Sequence, residues 1–551
     1  MKTQKKQTFV QGALILVAAS VIVKVIGACF KIPLTYLIND DGMGLFNSSY
    51  QIYTVMFIVA TAGFPTAISK MVAESLAVDR KIEADRVFKV AVTMLAFIGV
   101  FGSLILFFGA DALARIISNV RSAQAIRAIS PAVLCVALMA AFRGYFQGQQ
   151  NMYPTAISEV CESMGKLIFG YLFAWYFMRF SVEKAAAGAV FGVTMGTLIG
   201  FFILFIIFLF NKKKSGKNFP NEMYASYRDI AVKLFKIAVP ITIGASVSSL
   251  TNLADMFTIM NRLQTIKNVT PEFIIKYHIL IDTIKNFDGH SINEQLANSL
   301  YGMYTGKAVT MFNFPLTIVV ALGMSVVPVI SGAMAKRDYI SAQKSINSVI
   351  KITILFAVPC AIGMSVLASP ILKVVFRTDL ATSQLQKLAI SIIFVSMLQI
   401  TTAVLQAYGK TVIPVINMII GGVIKVIINY NLVAIPKINI DGAPIGTMIC
   451  YFVIVCLNMF WIIRETGCKF KITEYVLKPV FSGAVMGAVV LLIYIAVSSA
   501  GTMISLVVST VIGAFVYVAT LLIVKAFNKD DIEMMPKGDK ILKLFEKFHL
   551  I

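Results

Sequence analysis

The sequence predicts an all-α integral membrane protein of fourteen transmembrane helices, arranged as two pseudo-symmetric six-helix lobes plus two extra C-terminal helices. Three observations carry that expectation. Hydrophobic residues fill 58% of the 551 positions and charged residues only 14%, with a mean hydropathy of +0.83. A soluble domain of that size and composition would expose large apolar patches. The apolar runs are about as long as a bilayer requires, and they lack period-two alternation. Because a backbone in hydrocarbon must satisfy its own hydrogen bonds, such runs are helices and not barrel strands. Lastly, the punctuation of the first six runs returns in the second six.

Residues 1–212 form the N-terminal lobe, with spans near 9–37, 44–74, 86–109, 128–148, 154–180 and 185–211. The first span continues past Lys24 and has no small-residue cleavage pattern, which marks a retained helix and not a signal peptide. Asn39-Asp40-Asp41-Gly42 reads as a tight turn into the second span. Pro65 and Ser69 close the second span, and Pro154 opens the fifth. A basic linker at 213–228 follows, with Lys213, Lys214 and Lys217 adjoining Lys212.

The second lobe, 229–466, holds spans near 229–260, 300–335, 345–368, 384–408, 411–436 and 442–466. Pro328 and Ser331 repeat Pro65 and Ser69, Pro414 repeats Pro154, and Gly442 with Gly446 repeats Gly188 with Gly192. Several marks in one register indicate duplication. Two lobes of six helices each enter the membrane in the same direction, so an axis along the membrane normal relates them. The loop at about 261–299, with Pro271 and Asp288-Gly289, has no counterpart; an ordered external cap and a solvated linker both fit it. Residues 467–527 supply the two extra spans, near 473–499 and 501–527. Their small residues, such as Gly483, Gly487 and Gly513, suit either close packing or an apolar wall for a lipid tail. Residues 528–551 form a cytoplasmic tail in which Lys540, Lys543 and Lys547 alternate with apolar residues as in an interfacial helix.

The net charge of +22 comes from 49 Lys and Arg against 27 Asp and Glu. With the N-terminus inside, most of the basic residues fall on cytoplasmic segments, and both termini are then cytoplasmic. Anionic phospholipids are the expected neighbours of these clusters. Nucleic acid is not, because the clusters lack aromatic platforms and a soluble fold. Seven cysteines without a CxxC pair and three scattered histidines predict no metal site. No catalytic constellation is present, and no cofactor is called for.

Charges within the spans are the functional signal, since each costs about 2.5–3.5 kcal/mol at mid-membrane on insertion scales. Lys24 and Lys31 are seven apart and share a face of the first helix. The aligned stretch of helix seven carries Asp255 instead of a base. Lys307 and Lys425 add cations in the second lobe. Glu159, Glu162 and Lys166 occupy one face of helix five, with Glu162 and Lys166 spaced as an i,i+4 ion pair. Several lysines facing one cavity suit a polyanionic ligand such as a phosphate or pyrophosphate headgroup. Asp255, Glu159 and Glu162 are the candidate cavity or coupling carboxylates.

The run from Arg143 through Gln147-Gly148-Gln149-Gln150-Asn151 to Pro154 and Ser158, together with Gly63-Phe64-Pro65-Thr66-Ala67-Ile68-Ser69 to Glu74, resembles the multidrug/oligosaccharidyl-lipid/polysaccharide exporter superfamily. Within it, the likeness is to the polysaccharide-transporter branch that includes stage V sporulation protein B and the MurJ-type lipid II flippases. The resemblance runs over essentially the whole chain. It implies transfer of an undecaprenyl-pyrophosphate-linked saccharide precursor between leaflets, driven by two-state rocking with a coupling cation or the membrane potential. It also implies cavity roles for Lys24, Lys31 and Lys307. One departure stands out: helix two has no basic residue between Ser49 and Ile68. Three rivals are a cation-coupled multidrug exporter using Asp255, Glu159 and Glu162, a glycosyltransferase using Asp40-Asp41, and a scaffold.

Overall fold

A computed structural model describes residues 9–78, 80–212, 226–284, 290–468 and 470–526. The predicted linker lysines at 213, 214 and 217, Asp288-Gly289 and the predicted tail helix from 528 lie outside the described residues. Among the described residues every element is helical. In chain order these are α1 (Phe9–Thr61), α2 (Phe64–Ala77), α3 (Lys81–Phe108), α4 (Ala110–Ile116), α5 (Ala123–Gly148), α6 (Tyr153–Phe177), α7 (Val182–Lys212), α8 (Tyr227–Gln264), α9 (Pro271–Lys276) and α10 (His278–Ile281). They continue as α11 (Glu294–Met303), α12 (Val309–Ala335), α13 (Tyr339–Val366), α14 (Ala368–Phe376), α15 (Thr382–Ala407), α16 (Val412–Leu432), α17 (Gly442–Thr466), α18 (Lys478–Ala496) and α19 (Thr502–Ile523).

Eleven stretches among the described residues are long and apolar enough to cross a membrane. One of them joins α1 to α2 over Ala18–Ala77, and α6 and α12 are not among the eleven. The predicted turn at 39–42 is therefore smaller than expected. It is a break of one residue, Asn39, with φ 57° and ψ −175° inside an otherwise helical run. With φ positive and ψ extended, this is a backbone conformation that essentially only glycine adopts without strain, so the packing around Asn39 holds it there. The second predicted span divides instead at Ala62-Gly63, where Pro65 sits in the first turn of α2.

The chain forms two compact units. The first runs to Lys267 and takes in Ile279–Gly306, and the second comprises Asn268–His278 and the described residues from Lys307 on. In the first unit, α8 is fastened at both ends. A Cβ on Gly63 would stand 2.1 Å from the Ala238 carbonyl oxygen, so only glycine lets α2 and α8 meet there. Lys233 Nζ lies 3.0 Å from Glu74, and the Phe64 and Phe235 rings meet edge to face. At the other end Ser118 Oγ donates to Asn261 at 2.6 Å and Gln264 donates to the Ser118 carbonyl at 2.7 Å. Packing thus groups α8 with the first unit, whereas the repeat groups its sequence with the second half.

Asp41 accepts both Nη groups of Arg121, at 2.8 and 2.7 Å, and Asn298 Nδ2 at 2.7 Å. Arg121 Nε reaches Glu183 at 2.8 Å. This network ties α1, α7 and α11 together, and α11 approaches so closely that a Cβ on Gly302 would fall 1.8 Å from the Asp40 carbonyl oxygen.

In the second unit, α13, α15 and α17 share a buried cluster around Ile350, Val358, Ile400, Val404 and Ile462. The predicted loop is ordered through α9. Thr270 caps it, and Phe273 and Tyr277 are buried. Asp441 gathers Lys276 at 3.2 Å and Lys387 at 2.9 Å. Gln384 donates to the Tyr277 hydroxyl at 2.9 Å. Burial, and then the charge of Asp441, hold that hydroxyl protonated well above the ordinary phenol range. Residues 270–277 of the predicted loop are thus ordered. The last two helices pack on α13 and α14, with Met486, Val490, Tyr517 and Leu521 against Leu355 and Leu367, and Tyr517 donates to the Leu355 carbonyl at 3.0 Å.

Candidate functional site

The break at Asn39 folds the two halves of α1 so that both reach one cavity of about 470 Å³ in the first unit. Lys24, Gly27 and Phe30 come from the first half, and Tyr50, Tyr53, Thr54 and Phe57 from the second. Glu159, Glu162, Ser163 and Lys166 come from α6, and Arg143 from α5. The i, i+3, i+7 spacing of Glu159, Glu162 and Lys166 places all three on the same wall, as helical periodicity predicts.

The predicted ion pair is not the one formed. Arg143 Nη2 lies 2.8 Å from Glu162 Oε2, and Arg143 Nε donates to Ser158 Oγ at 3.1 Å. The Arg143 and Glu162 side chains are only 11% and 21% exposed, so this pair is largely desolvated. Lys166 Nζ instead sits 4.4 Å from the centre of the Tyr50 ring and 5.3 Å from that of Phe30. A fixed arginine fork outcompetes a flexible ammonium for a carboxylate, and the ammonium finds the face of an electron-rich ring. Three cations, Lys24, Arg143 and Lys166, then face two carboxylates, Glu159 and Glu162.

Lys31 is half-buried and lies within reach of the charge on Lys166. Asp255, half-buried on α8, is not among the lining residues; its charge reaches Tyr301. Lys307 belongs to the second unit and is buried in a widened π-helical turn, Tyr304–Ala308, between α11 and α12. Such turns recur where helices carry function. Lys351 and Lys425 are buried in the same unit; Lys425 is among the cations expected within spans, and Lys351 joins it.

Sequence reasoning also missed Arg143 as a cavity residue. Its signal was present, because an arginine in an apolar run needs a partner, but the partner lies 19 positions away on another helix. The lack of a base in the second half of α1 has a compensation here. The Tyr50 side of the cavity receives Lys166 from α6. Of the Asp40-Asp41 pair on which a glycosyltransferase reading depends, Asp41 is already occupied by Arg121 and Asn298.

A model of the polysaccharide biosynthesis protein family matches residues 9–334, more than half of the chain. The chain belongs to that family. A second model, that of the lipid II flippase MurJ, matches residues 293–523. Stage V sporulation protein B of Bacillus subtilis (strain 168) is 24% identical over 96% of this chain and 98% of its own. Lipid II flippase MurJ of the same organism is 26% identical over 87% of each chain. The solved structure titled lipid II flippase MurJ, inward closed conformation, shares the fold with a TM-score of 0.68 at 13% identity, covering 93% of this chain and 98% of that one. With its long apolar helices, this member of the polysaccharide biosynthesis family is a multi-pass membrane protein.

Proposed function

We propose that this chain is a flippase that carries an undecaprenyl-pyrophosphate-linked cell-wall precursor, namely lipid II, across the bacterial cytoplasmic membrane. Its relatives named as lipid II flippase and the match of the flippase model support the class of cargo. The observation that carries the reading is the cavity in which Lys24, Arg143 and Lys166 face Glu159 and Glu162. An anion that enters finds an excess of cations in surroundings of low dielectric, where each charge-assisted hydrogen bond contributes about 1.5–3 kcal/mol net. A pyrophosphate competes with Glu162 for Arg143 and takes Lys24, which is exposed on the cavity wall.

In this reading the chain crosses the membrane fourteen times, with both termini cytoplasmic and two six-helix lobes that alternate in access. The prenyl tail stays in lipid along α18 and α19. Transfer needs no covalent step, only two conformations of different affinity. Glu159, Glu162 and Asp255 are the groups through which a coupling cation would act, and the membrane potential favours outward movement of an anion from an inside-negative cell. Lys31, within reach of the charge on Lys166, belongs to the same cationic group, and Lys307 is the anion contact assigned to the second unit.

Depletion of the protein, followed by identification of the lipid-linked intermediates in the inner leaflet, is the direct test. Lipid II should accumulate; unchanged pools reject the assignment. In dependent cells, Lys24→Glu, Lys31→Glu and Lys307→Glu together should abolish growth with the protein at normal abundance, and normal growth would remove these lysines from the path. Glu159 and Glu162 in one cavity also fit a cation-coupled exporter of drugs. Drug resistance on overexpression with an intact wall would favour that reading.

A further inference from the structure

A second concavity, of about 650 Å³, opens on the first unit at the end of α6 and the start of α7. It is separate from the charged cavity, and no residue lines both. Its walls are apolar: Leu172, Phe173, Phe177, Ala187, Gly188 and Phe191. At its rim are Trp175 and Tyr176, each about half exposed, and Lys184. Arg179 does not line the concavity but lies against two of its rim rings, 4.8 Å from the centre of Trp175 and 5.8 Å from that of Tyr176. The Lys184 ammonium stands 5.3 Å from the Phe180 ring. Neither basic group lies within ion-pair distance of a carboxylate among the described residues, although Glu183 adjoins Lys184 and is drawn away to Arg121.

Amphipathic aromatic rings with basic residues beside them are what a chain presents where the acyl region meets the headgroups. A groove that is apolar along its length, with aromatic rings and two basic groups beside its rim, is complementary to one kind of molecule. We propose that this groove binds an anionic phospholipid of the surrounding bilayer, with an acyl chain along Phe173, Ala187 and Phe191 and the phosphate between Lys184 and Arg179. The volume lies within the roughly 300–1,000 Å³ of well-formed small-molecule sites. The basic pair supplies what a zwitterionic lipid would use less well, because its ammonium offsets the attraction. This site is independent of the cargo proposed above, since none of its residues lines the charged cavity.

Trp175 is one of only two tryptophans in the chain, and it reports the site directly. In the full chain carrying Trp461→Phe, reconstituted in vesicles, tail-brominated phosphatidylglycerol should quench Trp175 at lower mole fraction than tail-brominated phosphatidylcholine. The expected preference is about fivefold, the factor that corresponds to one basic side chain at an anionic surface. Lys184→Gln with Arg179→Gln should abolish the preference, and both substitutions lie on exposed side chains. Ala187→Phe should block the groove and weaken quenching by both lipids. Equal quenching by the two lipids, or a preference that survives the double substitution, overturns the proposal. Stronger quenching by a brominated polyprenyl phosphate than by phosphatidylglycerol also overturns it, and would assign the groove to a prenyl tail.

Discussion

At the scale of single residues, the decisive contact is Arg143 with Glu162, because it fixes which charges in the cavity are already balanced. Removing one partner leaves the other buried and unpaired, at a cost of about 3 kcal/mol. Arg143→Gln should therefore lower the thermal unfolding midpoint in detergent, whereas the double exchange Arg143→Glu with Glu162→Arg should recover part of the loss. A midpoint unchanged in Arg143→Gln would show that the pair holds nothing together. The residue types of this site were legible in the sequence. A lysine or carboxylate in an apolar run declares itself by its insertion cost, and Lys24, Glu159 and Glu162 were singled out on that ground. Their partners were not legible. The i,i+4 rule pointed from Glu162 to Lys166, yet local spacing says nothing about an arginine that arrives from another helix.

Elements show the same division. The sequence marked the ends of helices well where proline or glycine sets them: Pro154 lies in the first turn of α6 and Pro414 in that of α16. It misjudged the passage from the first span to the second, because Asn-Asp-Asp-Gly is turn chemistry in isolation. Asp41 is claimed by Arg121 and Asn298, and a single left-handed residue suffices to redirect the helix. Asn39→Gly should raise the unfolding midpoint, because glycine adopts this φ and ψ without strain, a gain of about 1 kcal/mol. Asn39→Val should lower it, at a cost of about 1 kcal/mol or more, because a β-branched side chain tolerates this positive-φ backbone least. Equal unfolding midpoints for the two variants would show that the break is not strained. The segment after α8 illustrates the converse case. Its mixed composition left cap and linker equally open, and order came from Lys276 and Tyr277 docking on residues more than a hundred positions away.

For the whole molecule, α18 and α19 are the clearest test of function against folding. They pack on α13 and α14 through apolar side chains and one hydrogen bond from Tyr517. In lipid such apolar contacts bring little hydrophobic gain, since acyl chains replace them. Deletion from residue 473 onward should leave a helical, monodisperse protein by circular dichroism and gel filtration, yet abolish lipid transfer in vesicles. Undiminished transfer would refute the role of these helices as a path for the tail. From the sequence alone it follows that this chain lives in a membrane, that it is built of helices, that it resembles a branch of an exporter superfamily, and which residues carry charge where lipid cannot tolerate it. Those are one-dimensional properties: length, composition, periodicity and motif. Only the tertiary structure decided that α1 turns back at Asn39, that Arg143 and not Lys166 holds Glu162, and that Lys166 rests on Tyr50. Each of these depends on which helices become neighbours, and in a bilayer nearly every helix face is apolar enough to accept many neighbours.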